Sequence, residues 1–149
     1  MKAATVWLFV QYSHLQPAAD GSITVGVVGR QSFLQALRHT LDGKSVAGHP
    51  VAVIEPKSAM HCCQILYLAT DKADEIRRSF DAAQPLRALT IGESDRFLEL
   101  GGAVNLFIAE GHIAFETSLD ALGACGVTIS ANLLKFGHIR NRGKGTTSK

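Results

Sequence analysis

The strongest constraint on the fold is the regular alternation of buried-strand patterns with amphipathic helix patterns along the chain. The segment SITVGVVG at 22–29 is a continuous run rich in β-branched residues, which predicts a strand covered on both faces. The segment QSFLQALRHTL at 31–41 follows with apolar side chains at helical spacing. Strands that alternate with helices are typical of a parallel sheet with helices packed against both sides.

The same patterns predict the order α-β-α-β-β-α-β-α-β-β-α-α. Helices are predicted over 3–15, 31–41, 71–84, 94–102, 119–126 and 130–140, and strands over 22–29, 45–55, 63–70 and 86–93. Asp71 is predicted to cap the third helix and Ser130 the last one. Apolar residues on either side of Glu110-Gly111 predict a hairpin within 103–118. The predicted fold is therefore α/β and three-layered, with a central mostly parallel sheet, helices on both faces and a C-terminal antiparallel hairpin.

Length and composition favour one globular domain. The chain has 149 residues, of which 46% are hydrophobic and 19% charged, enough apolar material for a sizeable core. We assign residues 1–140 to a single domain and 141–149 to a basic flexible tail. No folded basic face suited to nucleic acid is visible, and no apolar run is long enough to span a membrane. The N-terminal segment lacks a small-residue cleavage site and is interpreted as a helix.

A histidine and two cysteines precede the predicted strand at 63–70. Neighbouring residues on a strand point to opposite faces, so Cys62 and Cys63 do not easily bind one metal ion, nor can they form an unstrained disulfide with each other. His61 and Cys63 share a face, which leaves open a thiol nucleophile with a histidine base. A buried cysteine more often behaves as a small apolar residue, and a core or disulfide role is favoured.

Signatures of common catalytic and cofactor sites are missing from the sequence. Gly26 and Gly29 lie before a helix but lack the G-x-G-x-x-G spacing, and neither a Walker A nor a G-x-S-x-G segment occurs. The six histidines are scattered, with no pair at i, i+4 spacing that would suit zinc. We therefore expect no catalytic residue, no metal and no cofactor.

Several segments resemble the YfiR family of periplasmic regulators. The opening helix AATVWLFVQYSHLQP, the first βαβ unit ITVGVVGRQSFLQAL…LDGKSVAGHPVAVI and the strand CQILYLA are similar to that family. So are ALTIGESDRFLELGGAVNLF, matching a vLTvgd…F…GG-x-inf pattern, HIAFETS and GVTISANLLKFG, and the similarity extends to about Gly137. The residues that match the most specific parts of the family motif are Gly101, Gly102, Asn105, Phe115, Glu116, Ser130, Leu133 and Leu134.

The resemblance implies a small, non-enzymatic repressor in the periplasm, with its leader peptide removed. Members of that type bind the periplasmic region of an inner-membrane diguanylate cyclase and hold it inactive, which lowers cyclic di-GMP signalling and with it biofilm formation. An OmpA-like outer-membrane lipoprotein can sequester the repressor. The resemblance also implies a homodimer.

The resemblance makes Cys63 a position that elsewhere in the family belongs to a structural disulfide. The expected partner cysteine in the first strand is replaced within Val25-Gly26-Val27, and the later cysteine pair near the Gly-Gly segment is absent. We therefore predict that Cys63 is a free thiol or pairs with Cys125.

Two further hypotheses concern surfaces. Trp7 and Tyr12 on the first helix are candidates for an oligomer or partner interface, with a core role as the alternative for Trp7. The rival to the repressor is a small-molecule sensor or thiol-dependent α/β protein with its ligand at the carboxyl ends of the parallel strands. The residues expected near that site are Gly29, Arg30, Glu55, Thr70 and Asp71.

Overall fold

The computed structural model describes residues 2–15, 21–55, 64–83, 88–125, 128–135 and 137–140. The helices are α1 (Lys2–Tyr12), α2 (Gln31–Leu41), α3 (Ala73–Ala83), α4 (Leu119–Cys125) and α5 (Ala131–Leu134). The strands are β1 (Ser13–His14), β2 (Ile23–Gly29), β3 (Ser45–Val46), β4 (His49–Ile54), β5 (Ile65–Ala69), β6 (Leu89–Gly92), β7 (Val104–Ala109), β8 (His112–Ser118), β9 (Thr128–Ile129) and β10 (His138–Arg140).

A single mixed sheet organises the chain, with strand order β10-β8-β7-β6-β5-β2-β4-β3. The five strands β4, β2, β5, β6 and β7 run parallel to one another. The pairs β7–β8 and β3–β4 are antiparallel, and β10 lies parallel to β8. A separate two-stranded pairing joins β1 to β9. The predicted α/β class with a mostly parallel central sheet and a C-terminal antiparallel hairpin is confirmed.

The side chains of β5 show how the sheet separates two cores. Ile65, Tyr67 and Ala69 belong to the larger core, where α1, α2, α4 and α5 contribute apolar side chains. Leu66 and Leu68 point the other way, into a smaller core shared with α3 and the segment 94–101. All five β5 residues are buried, which agrees with the continuous apolar run of the sequence. The fold therefore has three layers.

Five local predictions were wrong. The helix predicted over 3–15 ends at Tyr12, and Ser13 and His14 form strand β1 instead. The segment 45–55 forms two strands, because Ala47 and Gly48 both have positive φ and turn the chain tightly between them. The segment 94–102, predicted to be a short helix, forms a series of turns instead. In one of them the Phe97 amide donates a hydrogen bond to the Ser94 carbonyl. Asp71 is not the cap of α3, since the Ile76 amide bonds to the carbonyl of Lys72.

The predicted helix at 130–140 ends much earlier. Helix α5 stops at Leu134, and residues 138–140 add to the edge of β8 as β10. Gly137 lies between the two, and a Cβ atom at this position would collide with the ring of Phe115. The chain can pass this close to the core only with glycine there, and it then meets the unoccupied side of β8. The hairpin turn at Glu110-Gly111, by contrast, is confirmed, and both residues have positive φ.

The position of the Phe97 ring in the smaller core requires glycine at two nearby positions. Cβ atoms at Gly92 and at Gly102 would both collide with the Phe97 ring, which is completely buried. The ring therefore lies directly against the backbone where β6 ends and β7 is about to begin. This contact holds the 94–101 segment against the sheet.

Gly102→Ala is expected to destabilise the fold by about 1–3 kcal/mol, because the added methyl group overpacks the Phe97 site. Gly123→Ala is the matched control, since a Cβ there meets nothing within 4 Å and alanine is favoured in a helix. Denaturant unfolding of both variants measures the effect. Equal stabilities of the two variants would contradict the proposed contact.

Candidate functional site

A cluster of three polar side chains lies where β2, β5 and β6 end, at the carboxyl edge of the sheet. Arg30 follows β2, Tyr67 belongs to β5 and Glu93 follows β6. Arg30 Nη1 donates to Glu93 Oε2 at 2.6 Å, and the Tyr67 hydroxyl donates to Glu93 Oε1 at 2.7 Å. Each carboxylate oxygen therefore has its own donor. We call these three residues the Glu93 cluster.

Burial decides the electrostatics of the cluster. The Glu93 side chain is 7% exposed and that of Arg30 51% exposed, whereas Tyr67 is fully buried. Burial raises the pKa of Tyr67, and the hydrogen bond to Glu93 and its negative charge raise it further. The same carboxylate raises the pKa of Arg30 through its hydrogen bond. Tyr67 thus stays a proton donor and Arg30 a cation, the two states that a buried carboxylate requires.

The backbone around Gly29 places Arg30 beside Glu93. Gly29 has a φ of 113°, and a Cβ atom there would collide with the backbone of Ala69. The Arg30 amide donates to the Ala69 carbonyl at 3.2 Å, which ties the end of β2 to the end of β5. The Tyr67 ring is fixed from the other side by stacking on Phe33, with centroids 4.2 Å apart.

An open cleft of about 510 Å³ lies over the cluster. Four of the five residues predicted for the carboxyl edge, Gly29, Arg30, Thr70 and Asp71, line it. Glu55 instead accepts a hydrogen bond from Gln31 at 2.6 Å and is not part of the lining. The cleft is completed by Ala69, Lys72, Glu75 and Glu93.

Sequence reasoning missed the centre of this site. An acid directly after a buried strand of a parallel sheet was a usable signal for Glu93, because such positions meet at the carboxyl edge. Tyr67 gave no comparable signal, since an aromatic residue within an apolar strand is ordinary core composition. Its hydroxyl reaches Glu93 only because β5 and β6 are neighbours.

The family-motif residues mostly build contacts within the fold. Phe115 meets the Phe9 ring edge-on, with centroids 5.0 Å apart, and contacts the chain at Gly137. Asn105 Nδ2 donates to Glu116 Oε2 at 3.2 Å across the β7–β8 pair. Gly101 has a φ of 112°, a conformation that favours glycine.

The C-terminal part of the motif holds α1 in place. The Ser130 amide donates to the Tyr12 carbonyl at 2.7 Å, directly beside the β1–β9 pairing. Leu133 is buried in the larger core. Leu134 is the last residue of α5.

The two candidate interface residues on α1 have different surroundings. Trp7 is partly buried against the larger core, with the Lys44 ammonium 5.6 Å from its ring centroid. Tyr12 is exposed and lines a second depression of about 480 Å³, together with His49 and Ser13. Their role in an interface stays a prediction.

The thiol predictions concern positions that the structure does not describe. Residues His61, Cys62 and Cys63 lie outside the described ranges, and of Cys125 only the backbone position at the end of α4 is described. Within the described residues, no group of three His, Cys, Asp or Glu side chains is placed to hold a metal ion. In the same ranges, no helix has the length and apolar character needed to cross a membrane.

The fold and the Glu93 cluster define a small three-layer α/β domain with a polar cleft at the carboxyl edge of its sheet. The YfiR/HmsC-like family model matches residues 1–138, so the chain belongs to this family. No curated protein matches the sequence. The YfiR/HmsC-like family is regulatory and periplasmic.

Tyr67→Phe is expected to lower stability by about 1.5–3 kcal/mol near neutral pH, because a buried carboxylate loses a donor. The raised pKa predicts a second effect. Because the pKa of Tyr67 is raised in the folded state, keeping this hydroxyl protonated adds to the free energy of unfolding. This stabilisation is complete below the unfolded tyrosine pKa of about 10 and is lost as pH rises beyond it. Wild-type stability should therefore fall more steeply than that of Tyr67→Phe between about pH 10 and about pH 11.

Chemical denaturation across that range measures the difference, with Tyr12→Phe as a control for loss of an exposed tyrosine hydroxyl. The same pH slope in Tyr67→Phe and Tyr12→Phe would show that the Tyr67–Glu93 contact is not as described.

Proposed function

We propose that this protein is a periplasmic, non-enzymatic repressor of a membrane-bound diguanylate cyclase. The observation that carries the proposal is the family match over 1–138, nearly the whole chain. It is supported by what the motif residues do, since Gly102, Phe115 and Leu133 serve packing in the two cores. Motif residues that serve packing rather than catalysis are what we expect in a protein that acts by binding a partner through its surface.

The proposed mechanism is differential binding. A repressor lowers cyclase activity only by binding the inactive state of the periplasmic region more tightly than the active state. An OmpA-like lipoprotein that binds the repressor would withdraw it from this equilibrium and restore cyclic di-GMP synthesis. The repressor is proposed to act as a homodimer.

Co-expression of the exported protein with its cognate cyclase is expected to lower cellular cyclic di-GMP and biofilm formation, because the inactive cyclase state becomes more populated. The control is a cyclase whose periplasmic region has been deleted, on which the repressor should have no effect. Unchanged cyclic di-GMP with the intact cyclase would refute the proposal.

A second candidate function, a small-molecule sensor, is favoured by the cleft over the Glu93 cluster. The cleft volume of about 510 Å³ falls in the range of ligand sites. Arg30 Nη1 is engaged by Glu93, but the guanidinium is half exposed and its other nitrogens meet no acceptor in the described part of the chain. These donors could hold a ligand carboxylate with bidentate geometry.

The sensor candidate predicts that at least one small mono- or dicarboxylate raises the melting temperature of the wild-type protein. Arg30→Ala should abolish this shift, because the remaining guanidinium donors bind the ligand. Arg77→Ala is the control, since Arg77 is exposed on α3 and does not line the cleft. A panel of carboxylates that shifts neither protein, or shifts both equally, would refute this candidate.

A further inference from the structure

The depression beside Tyr12 lies at the opposite edge of the sheet from the Glu93 cluster. Strands β2 and β4 run parallel, and the residues with which they begin, Ile23 and His49, both line it. The end of α1 and the β3–β4 turn at Ala47 also contribute to its walls. Its volume of about 480 Å³ is in the range of small-molecule sites. We call this depression the α1 pocket.

One part of the lining of the α1 pocket is apolar. Val10 and Ile23 are buried in the larger core, and Leu15 and Val46 pack against the same core. A ligand can therefore bury part of its own apolar surface against these side chains. The exposed ring of Tyr12 adds a flat surface of the kind on which another ring packs.

Polar side chains of the lining have hydrogen-bonding capacity that the fold does not use. The Ser13 hydroxyl oxygen is buried, yet it has no hydrogen-bond partner in the described part of the chain. His49 Nδ1 lies 2.8 Å from the Gly21 carbonyl, which can only accept, so Nδ1 carries the hydrogen. Nε2 of the neutral ring is then an acceptor, and among the described residues none donates to it. The Gln11 amide adds both donors and acceptors at the exposed rim.

The charge of the lining decides which ligands suit it. Among the described residues that line the α1 pocket there is no Asp, Glu, Lys or Arg. A ligand with a formal charge would lose hydration here without gaining an opposite charge, which costs free energy. A wholly apolar ligand would cover the polar atoms of Gln11 and His49 without bonding to them, which is also unfavourable. The lining therefore favours an uncharged ligand that combines hydroxyl groups with an apolar face.

We propose that the α1 pocket binds a neutral saccharide. One face of a sugar ring presents C–H groups, which pack on the Tyr12 ring and the apolar lining. The hydroxyl groups at the edge of the sugar ring both donate and accept, so one donates to His49 Nε2 and another bonds to the Gln11 amide. The inference is independent of both candidate functions, because the pocket uses none of the residues of the Glu93 cluster and concerns this chain alone.

The test is a titration of the isotope-labelled protein with glucose, galactose and mannose, followed through its amide resonances. At least one hexose should cause saturable shifts in the millimolar range, centred on residues 10–13 and 46–49. Glucuronate, a sugar of similar size with a negative charge, should have a dissociation constant ~tenfold higher or more. Saturation at low concentration distinguishes binding from the general stabilisation that concentrated sugars give to proteins.

Two substitutions test the contacts. Gln11→Ala and Tyr12→Ala should each raise the dissociation constant of that hexose ~tenfold or more, because one removes the amide and the other the ring surface. Both side chains are exposed, so neither substitution opens a cavity in the core. Gln35→Ala and Leu8→Ala are the matched controls, since these exposed residues of α2 and α1 do not line the pocket. Both controls should bind the hexose like wild type.

Several results would overturn the proposal. One is the lack of a saturable shift with all three hexoses, and another is a saturable shift confined to the cleft over the Glu93 cluster. Equal affinity for glucuronate and the hexose would show that charge does not decide which ligand is bound. Equal losses in Gln11→Ala and Gln35→Ala would place the hexose elsewhere on the protein. None of these results affects the proposed repression, which is measured separately through cellular cyclic di-GMP.

Discussion

The carboxylate of Glu93 is the point on which the carboxyl edge of the sheet depends. It receives one hydrogen bond from Tyr67 within β5 and one from Arg30 just after β2, so a single side chain joins the ends of three adjacent strands. Removal of either donor would destabilise a carboxylate with so little exposure. The positions of the strand ends, the exposed half of Arg30 and the shape of the cleft all follow from this arrangement.

In each of the two cores, an aromatic ring packs directly against the backbone. Phe97 and Phe115 each lie against a stretch of backbone that only glycine can occupy, at Gly92 and Gly102 for the first ring and at Gly137 for the second. The consequence for function is that motif residues can be essential to the protein without touching a partner. Loss of activity in a Gly102 or Phe115 variant would report on folding, and partner binding has to be sought on exposed surface.

Elements that depend on neighbouring residues in the sequence were predicted well, and elements that depend on residues far apart in the sequence were not. Alternating strand and helix patterns predicted α2 to the residue, and the Glu110-Gly111 turn, because both depend on local spacing and backbone conformation. Strand β10 could not be predicted in this way, because its formation depends on an open side of β8 far back in the sequence. The Glu93 cluster was missed for a related reason. The carboxyl edge was expected at Arg30, Thr70 and Asp71, but the hydrogen bond from Tyr67 exists only once β5 and β6 are adjacent.

The short pairing of β1 with β9 determines which part of the chain must be present before the first helix is fully attached to the fold. Ser13 and His14 find their partners at Thr128 and Ile129, near the other end of the chain. The Ser130 amide then bonds to the last carbonyl of α1. Contacts between distant parts of a chain stabilise the fold only after the entropy of closing the loop between them has been lost. The first helix therefore gains this attachment only after almost the whole polypeptide is available, and a chain shortened before residue 128 would leave the C-terminal end of α1 without these partners.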